Sequence, residues 1–243
     1  MMKDILINGS EKLKTPLGEH TADRLIKYAS LLKEWNKNIN LTAITDDEGI
    51  AVKHFLDSLT AAATGKVKGR VIDVGTGAGF PGLVLKTAMP DISLTLLDSL
   101  NKRIKFLDAV IEELGLDGAE TVHMRAEDGG QNSRFREKYD TAVSRAVANM
   151  TLLSEWCLPF VKVGGYFLAL KGPAADEELI AAKRTISILG GEVEDVFETE
   201  IPYSDLKHRI IIVKKVRQTP KRFPRKPGIA TKISVEQCYN LKK

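Results

Sequence analysis

Apolar positions along the chain keep two different rhythms, and the change falls near residue 68. Over residues 21–36, Leu25, Tyr28, Ala29, Leu32 and Trp35 recur at i, i+3 and i+4, the spacing that lines one face of a helix. A polar turn, NKNINLT, separates this helix from a second one predicted in VKHFLDSLTAAA. Neither segment carries a strand pattern, so residues 1–68 read as an N-terminal helical cap. From residue 70 short β-rich runs (RVIDV, SLTLLD, TVHM, YDTAVSR, GYFLALK) alternate with helix-length segments (PGLVLKTA, NKRIKFLDAVIEELG, NMTLLSEWCLPFVK). Such alternation predicts a parallel sheet wound on both faces. After one more helix, over 175–190, VEDVFETEI and HRIIIVKKV follow each other across a short turn. With no helix between them, they are predicted to form an antiparallel hairpin at the sheet edge.

Residues 69–216 are therefore expected to form an α/β core: a doubly wound, Rossmann-like sheet, mostly parallel, with a C-terminal antiparallel edge hairpin. Five parallel strands ending in such a hairpin is the layout of the class I methyltransferases, an analogy of fold that does not by itself imply activity. No apolar run approaches the roughly 20 residues needed to cross a bilayer, and MMKDILINGSEKLK lacks the apolar core of a signal peptide. Cys157 and Cys238 have no CxxC or Cys/His spacing, so free thiols, a cytoplasmic location and no metal site are expected. Charge changes the picture more. Residues 214–243 hold ten Lys/Arg against the single acid Glu236, which leaves residues 1–213 at a net −5 although the whole chain is +4. A basic tail, 217–243, on an acidic body points to a polyanion such as nucleic acid, or merely to a solubilising tail.

The densest chemical signal is VIDVGTGAGFPGLVL, residues 71–85, where a strand runs through three alternating glycines into a helix. Gly75, Gly77 and Gly79 allow a sharp turn and close approach of a ligand to the backbone. Residues 77–82 also satisfy GxGxxG, and Asp98 ends the next strand, where an acid binds a ribose diol in NAD or in S-adenosylmethionine alike. Asp73 discriminates between them. A pyrophosphate about 4 Å from its carboxylate would meet repulsion near 4 kcal/mol at an effective dielectric of 20, whereas the ammonium and sulfonium of S-adenosylmethionine would be attracted. Asp73 could instead bond the amides of its own turn. Ala126 and Glu127, after the third strand, would lie at the adenine edge, although Glu127 serves equally as a helix-cap acid. Together these residues favour a methyl donor over a hydride carrier.

The segments WNKNINLTAI, HFLDSL, VIDVGTGAGFPGLVL, LLDSLNKRIKFL, RAED, REKYD, SRAVA, LALKG and TPKRFPRKPG resemble the bacterial glucose-inhibited division protein B family, in order from about residue 28 to 228. The resemblance implies an S-adenosylmethionine-dependent methyltransferase acting on guanine N7 in 16S ribosomal RNA, free or in a small-subunit assembly intermediate. It also implies cofactor contacts at Gly75, Phe80, Ala126, Glu127 and Arg145. Family tails often continue PRKPGTPxKxP; here the residues are PRKPGIATKIS, with Ile229-Ala230 and Ser234 departing.

On the substrate side, Arg145 ends the YDTAVSR strand, where sites open in parallel sheets, and is assigned to positioning cofactor and substrate. Lys171 ends the next strand as a phosphate or base contact, or as solvated surface. His54 and Asp57, one helical turn apart, could pair catalytically or simply pack and cap a helix; His54 is also a candidate RNA contact. His208 and Arg209 extend the basic surface, and Lys221, Arg222, Arg225 and Lys226 with Phe223 could track phosphates and stack a base. Guanine N7 has a free lone pair and no proton, so the absence of a nucleophile–base constellation suits this reaction. The rival readings are a dinucleotide oxidoreductase and a non-catalytic RNA-binding ribosome assembly factor. A monomer is expected.

Overall fold

The computed structural model describes residues 1–145, 147–172, 175–205, 207–229 and 234–240. Ala230, one of the tail departures, and residues 231–233 and 241–243 thus lie outside the described residues.

The described residues form a seven-stranded sheet in the order β3-β2-β1-β4-β5-β7-β6. Its strands are β1 (Arg70–Val74), β2 (Ser93–Asp98), β3 (Ala119–His123), β4 (Tyr139–Arg145), β5 (Val161–Lys171), β6 (Gly191–Glu200) and β7 (Lys207–Lys215). The first five are parallel; β7 pairs antiparallel with β5 and β6 with β7, so the expected hairpin closes one edge. β6 is outermost because β7 is the apolar partner. Its run Ile210–Val213 is buried, whereas β6 is acidic and half-exposed, as an edge strand facing water should be.

Strand side chains alternate between two apolar layers. Val71, Leu168 and Ile210 join one; Ile72, Phe167 and Ile211 join the other. The first layer holds α1 (Met2–Lys12), α2 (Glu19–Asn36), α5 (Gly82–Ala88) and α6 (Asn101–Leu114). It also holds a continuous rod made of α3 (Asp47–Ile50), a π-helical turn (Ala51–Leu56) and α4 (Asp57–Ala63). α1 has no counterpart among the predicted helices, since its apolar positions are few. Tyr28 of α2 is fully buried against Phe55, Phe80 and Phe106, which ties the N-terminal helices to the sheet. The second layer holds α8 (Met150–Cys157) and α9 (Ala175–Ile188); α7 (Ala126–Gln131) and α10 (Val235–Asn240) lie at its margin. No helix among the described residues is long and apolar enough to cross a membrane.

The basic segment after β7 folds back on the second layer. Arg136 donates to the carbonyls of Gly130, Thr219 and Phe223, and Phe223 is fully buried. Arg225, expected among the RNA contacts, is only 6% exposed. Its Nε and Nη2 donate to the two carboxylate oxygens of Glu155, at 2.8 and 2.6 Å, and its backbone N–H donates to the same group. Phe223 therefore does not offer a face for base stacking, and Arg225 balances a buried acid. Lys215 is fully buried too, donating to Leu158 O and Thr219 Oγ1, and burial lowers its pKa to about 8. Lys221, Arg222 and Lys226 remain exposed.

Removing one member of a buried ion pair costs about 3–5 kcal/mol, because the other charge stays desolvated. Arg225→Ala should lower unfolding stability by about that amount in urea titration. Wild-type stability would mean that Glu155 rehydrates and the tail is not locked.

Candidate functional site

The sheet reverses strand order between β1 and β4, and a crevice opens at the carboxyl ends of such a pair. A cleft of about 450 Å³ lies there. The glycine turn after β1, Asp98 at the end of β2, the Met124–Glu127 segment and Arg145 at the end of β4 line it. Gly77 has φ +61°, and a Cβ built on it would meet no atom of the described residues within 4 Å, so the turn offers bare backbone to the cleft. Asp98 is nearly buried and accepts from Gly77 N–H at 2.9 Å, Leu100 N–H at 2.9 Å and Arg103 Nη1 at 3.2 Å. A carboxylate has about four acceptor positions, so Asp98 can brace the turn and still take one ligand hydroxyl.

Asp73 behaves otherwise than the direct attraction expected of it. It is fully buried beneath the turn and does not line the cleft. Its Oδ2 accepts from Thr76 Oγ1 at 2.7 Å and Gly82 N–H at 2.8 Å, the turn-bracing role its position also allowed. Burial raises its pKa to about 6, against the pull of those two donors.

Phe80 forms the inner wall. His54 stacks on it with ring centroids 4.5 Å apart, and the Arg145 guanidinium lies 5.0 Å from the ring centre. The π-helical turn accounts for how Arg145 is held. The Asp57 N–H bonds the carbonyls of Val52 and His54 and passes over Lys53, so the Lys53 carbonyl turns out of the helix ladder to meet Arg145 Nη1 and His54 Nδ1, each at 3.2 Å. Arg145 Nη1 also donates to Asp57 Oδ2 at 2.5 Å, and its Nη2 lies 3.3 Å from His54 Nδ1. Widened helical turns often occur at functional sites for this reason. His208 Nδ1 approaches Asp57 Oδ1 at 2.6 Å, off the axis of a good hydrogen bond. Burial opposes ionisation of Asp57, but His208 and Arg145 outweigh it and hold the carboxyl below its ordinary pKa. His54 is thus not paired with Asp57: its Nε2 meets Thr42 Oγ1 at 2.8 Å. Burial, then the charge of Arg145, lowers the His54 pKa to about 4, so the ring is neutral at physiological pH.

A second cleft, of about 590 Å³, adjoins the first across His54, Arg145 and Val147. Lys171 lines it at 8% exposure, donating to Ala148 O at 2.5 Å and Glu178 Oε2 at 2.7 Å, so it is not solvated surface. Arg209 lies between the carboxylates of Asp176 and Glu198, which reduces its pull on a phosphate. The structure therefore gathers Gly75, Gly77, Phe80, Asp98, Ala126, Glu127, Arg145 and His54 around the first cleft, with Lys171 next door in the second. Lys221, Arg222, Arg225 and Lys226 line neither cleft.

Sequence reasoning missed Thr42, Arg103 and Trp156 as cleft residues. The indole N–H of Trp156 is buried and finds no acceptor among the described residues, so a ligand acceptor would satisfy it. Within NMTLLSEWC that tryptophan reads as one more apolar helix position. Among the described residues no group of acidic, His and Cys side chains has the arrangement of a metal site.

A profile of the family described as rRNA small subunit methyltransferase G matches residues 21–206. The chain is 52% identical over 231 residues to the ribosomal RNA small subunit methyltransferase G of Clostridium novyi, covering 94% of this chain and 95% of that protein. It is 52% identical over 237 residues to the protein of the same name from Alkaliphilus oremlandii, covering 97% and 99%. The fold is similar, at TM-score 0.52 and 15% identity, to a 16S rRNA adenine methyltransferase from Catenulisporales acidiphilia solved with its cosubstrate SAM; 66% of this chain and 91% of that one align.

The neutral, stacked His54 makes a pH prediction. Its folded pKa, about 4, lies below the ordinary 6.5, so between those values the unfolded chain binds more protons and acid favours unfolding. Asp73, raised to about 6, acts in the opposite sense from about pH 4 to 6, so the two should be separated by difference. His54→Asn should lose less stability than wild type between pH 6.5 and 4, by up to about 3 kcal/mol. Parallel pH–stability curves from urea titration would show that His54 is not buried neutral.

Proposed function

The chain belongs to the rRNA small subunit methyltransferase G family, and from that premise we propose that it moves a methyl group from S-adenosylmethionine to N7 of a guanosine in 16S ribosomal RNA. The substrate is the RNA of the small subunit or of its assembly intermediate, met in the cytoplasm by a monomeric enzyme. The observation that carries the reading is the first cleft. Bare backbone at Gly77, the spare acceptor position of Asp98, the aromatic wall of Phe80 and the unsatisfied Trp156 N–H are together the kinds of group that an adenosyl ligand with ribose hydroxyls requires.

When bound, the donor supplies an electrophilic methyl on a sulfonium. The N7 lone pair forms the new N–C bond while the C–S bond breaks, and its electron pair stays on sulfur. The purine takes up the positive charge and no proton moves. The protein's part is then orientation, which can supply roughly 7–11 kcal/mol of the barrier. The surrounding groups suit that division of labour. His54 is bonded to Thr42, and Asp57 is held between Arg145 and His208, so neither stands ready to take a proton. Arg145, fixed by Asp57 and the Lys53 carbonyl, is the rigid element between donor and acceptor.

S-adenosylmethionine titration by calorimetry should show one site. Gly77→Val, which adds a β-branched side chain to the cleft at positive φ, should weaken it by about tenfold or more. Wild-type protein should methylate 16S RNA or small-subunit particles, and the product should undergo strand scission after borohydride and aniline treatment. Absence of donor binding would favour the non-catalytic assembly factor, and a methylated product without scission would exclude N7.

A further inference from the structure

We propose that the second cleft seats the guanine to be methylated, with the Lys171 ammonium donating to its O6. The inference rests on the activity proposed above and goes on to locate the acceptor.

Direct displacement needs nucleophile and methyl within about 3–3.5 Å, so the acceptor site must share a wall with the donor site. The second cleft does so, through His54, Arg145 and Val147. A base stacked in a helix cannot enter such a recess and must be unstacked or extruded from it. At about 590 Å³ the space exceeds what one purine needs.

The polar groups distinguish which purine. A lysine ammonium carries three protons. Lys171 gives two of them to Ala148 O and Glu178, and among the described residues the third has no acceptor, although the side chain is more than nine-tenths buried. Guanine O6 is an acceptor that meets this need; adenine presents an amino donor at the same position. O6 and N7 are neighbours on one edge of the base, so a donor that engages O6 alone leaves the N7 lone pair free and fixes its direction. An arginine fork would instead cover both atoms. The nearby arginine already gives Nη1 to Asp57 and the Lys53 carbonyl, and its Nη2 lies 3.3 Å from His54 Nδ1.

Gly172, next to Lys171, gives a clean test. It lines the second cleft, its φ is not in the left-handed region, and a Cβ there would meet no atom of the described residues within 4 Å. Gly172→Phe should keep donor affinity but lose single-turnover methylation by about 100-fold, the scale of a 1 Å misplacement. Lys171→Met should likewise spare donor affinity while lowering kcat/KM for RNA by about 10- to 150-fold. Wild-type methylation by Gly172→Phe, or loss of its donor affinity, would overturn the assignment. A wild-type protein that methylates no guanine would instead sink the activity on which it rests.

Discussion

The contact between Asp57 and Arg145 is the constraint on which the site depends. It joins the N-terminal rod to the end of the central strand β4, at the wall between the two clefts. Both side chains are largely buried there, and a desolvated pair is worth having only when every remaining donor and acceptor is matched. The π-helical turn does part of the matching by releasing the Lys53 carbonyl from the helix ladder, and His208 from the edge hairpin lies against the second carboxylate oxygen, off the axis of a good hydrogen bond. Three distant parts of the chain thus hold one guanidinium still. For the proposed reaction, which needs alignment and no proton transfer, fixing that group is the main contribution a protein can make.

The same economy governs charge elsewhere. An abundance of Lys and Arg in the tail looks like a ready polyanion surface, yet Lys215 and Arg225 serve the interior, and Arg209 is matched by two acids. Glu155, a carboxylate inside an amphipathic helix, requires a cation delivered from 70 positions along the chain. The tail is therefore part of the second apolar layer, with Phe223 and Val235 in the core. Of the four tail cations expected to meet RNA, Lys221, Arg222 and Lys226 remain exposed.

The asymmetry between the clefts follows from the sheet. The first is built from backbone: a glycine turn, a strand-end acid bracing it, and short loops at the switch point. The second is lined by side chains of the rod, β4, β5, β7 and α9, among them Lys171 bonded to Glu178 and Asp57 bonded to Arg145. A ligand shared by many enzymes can be met by backbone common to the fold, whereas a particular acceptor needs side chains peculiar to the family.

The sequence by itself determined the two rhythms, the order of strands and helices, the edge hairpin and the glycine turn. Those signals are local: period 3.6 against period 2, and glycines where a turn demands them. It also placed Arg145 and Asp98 at strand ends, because a parallel sheet opens its site there. Only the tertiary structure decided the partners. His54 and Asp57 are one turn apart in sequence, yet the π-helical turn aims one at Phe80 and Thr42 and the other at Arg145 and His208. Whether Arg225 reaches RNA or a buried acid, and whether Asp73 meets a ligand or its own turn, are likewise settled by which groups folding removes from water. Charge and spacing say what a side chain can bond; desolvation, a property of the packed whole, chooses which bond it makes.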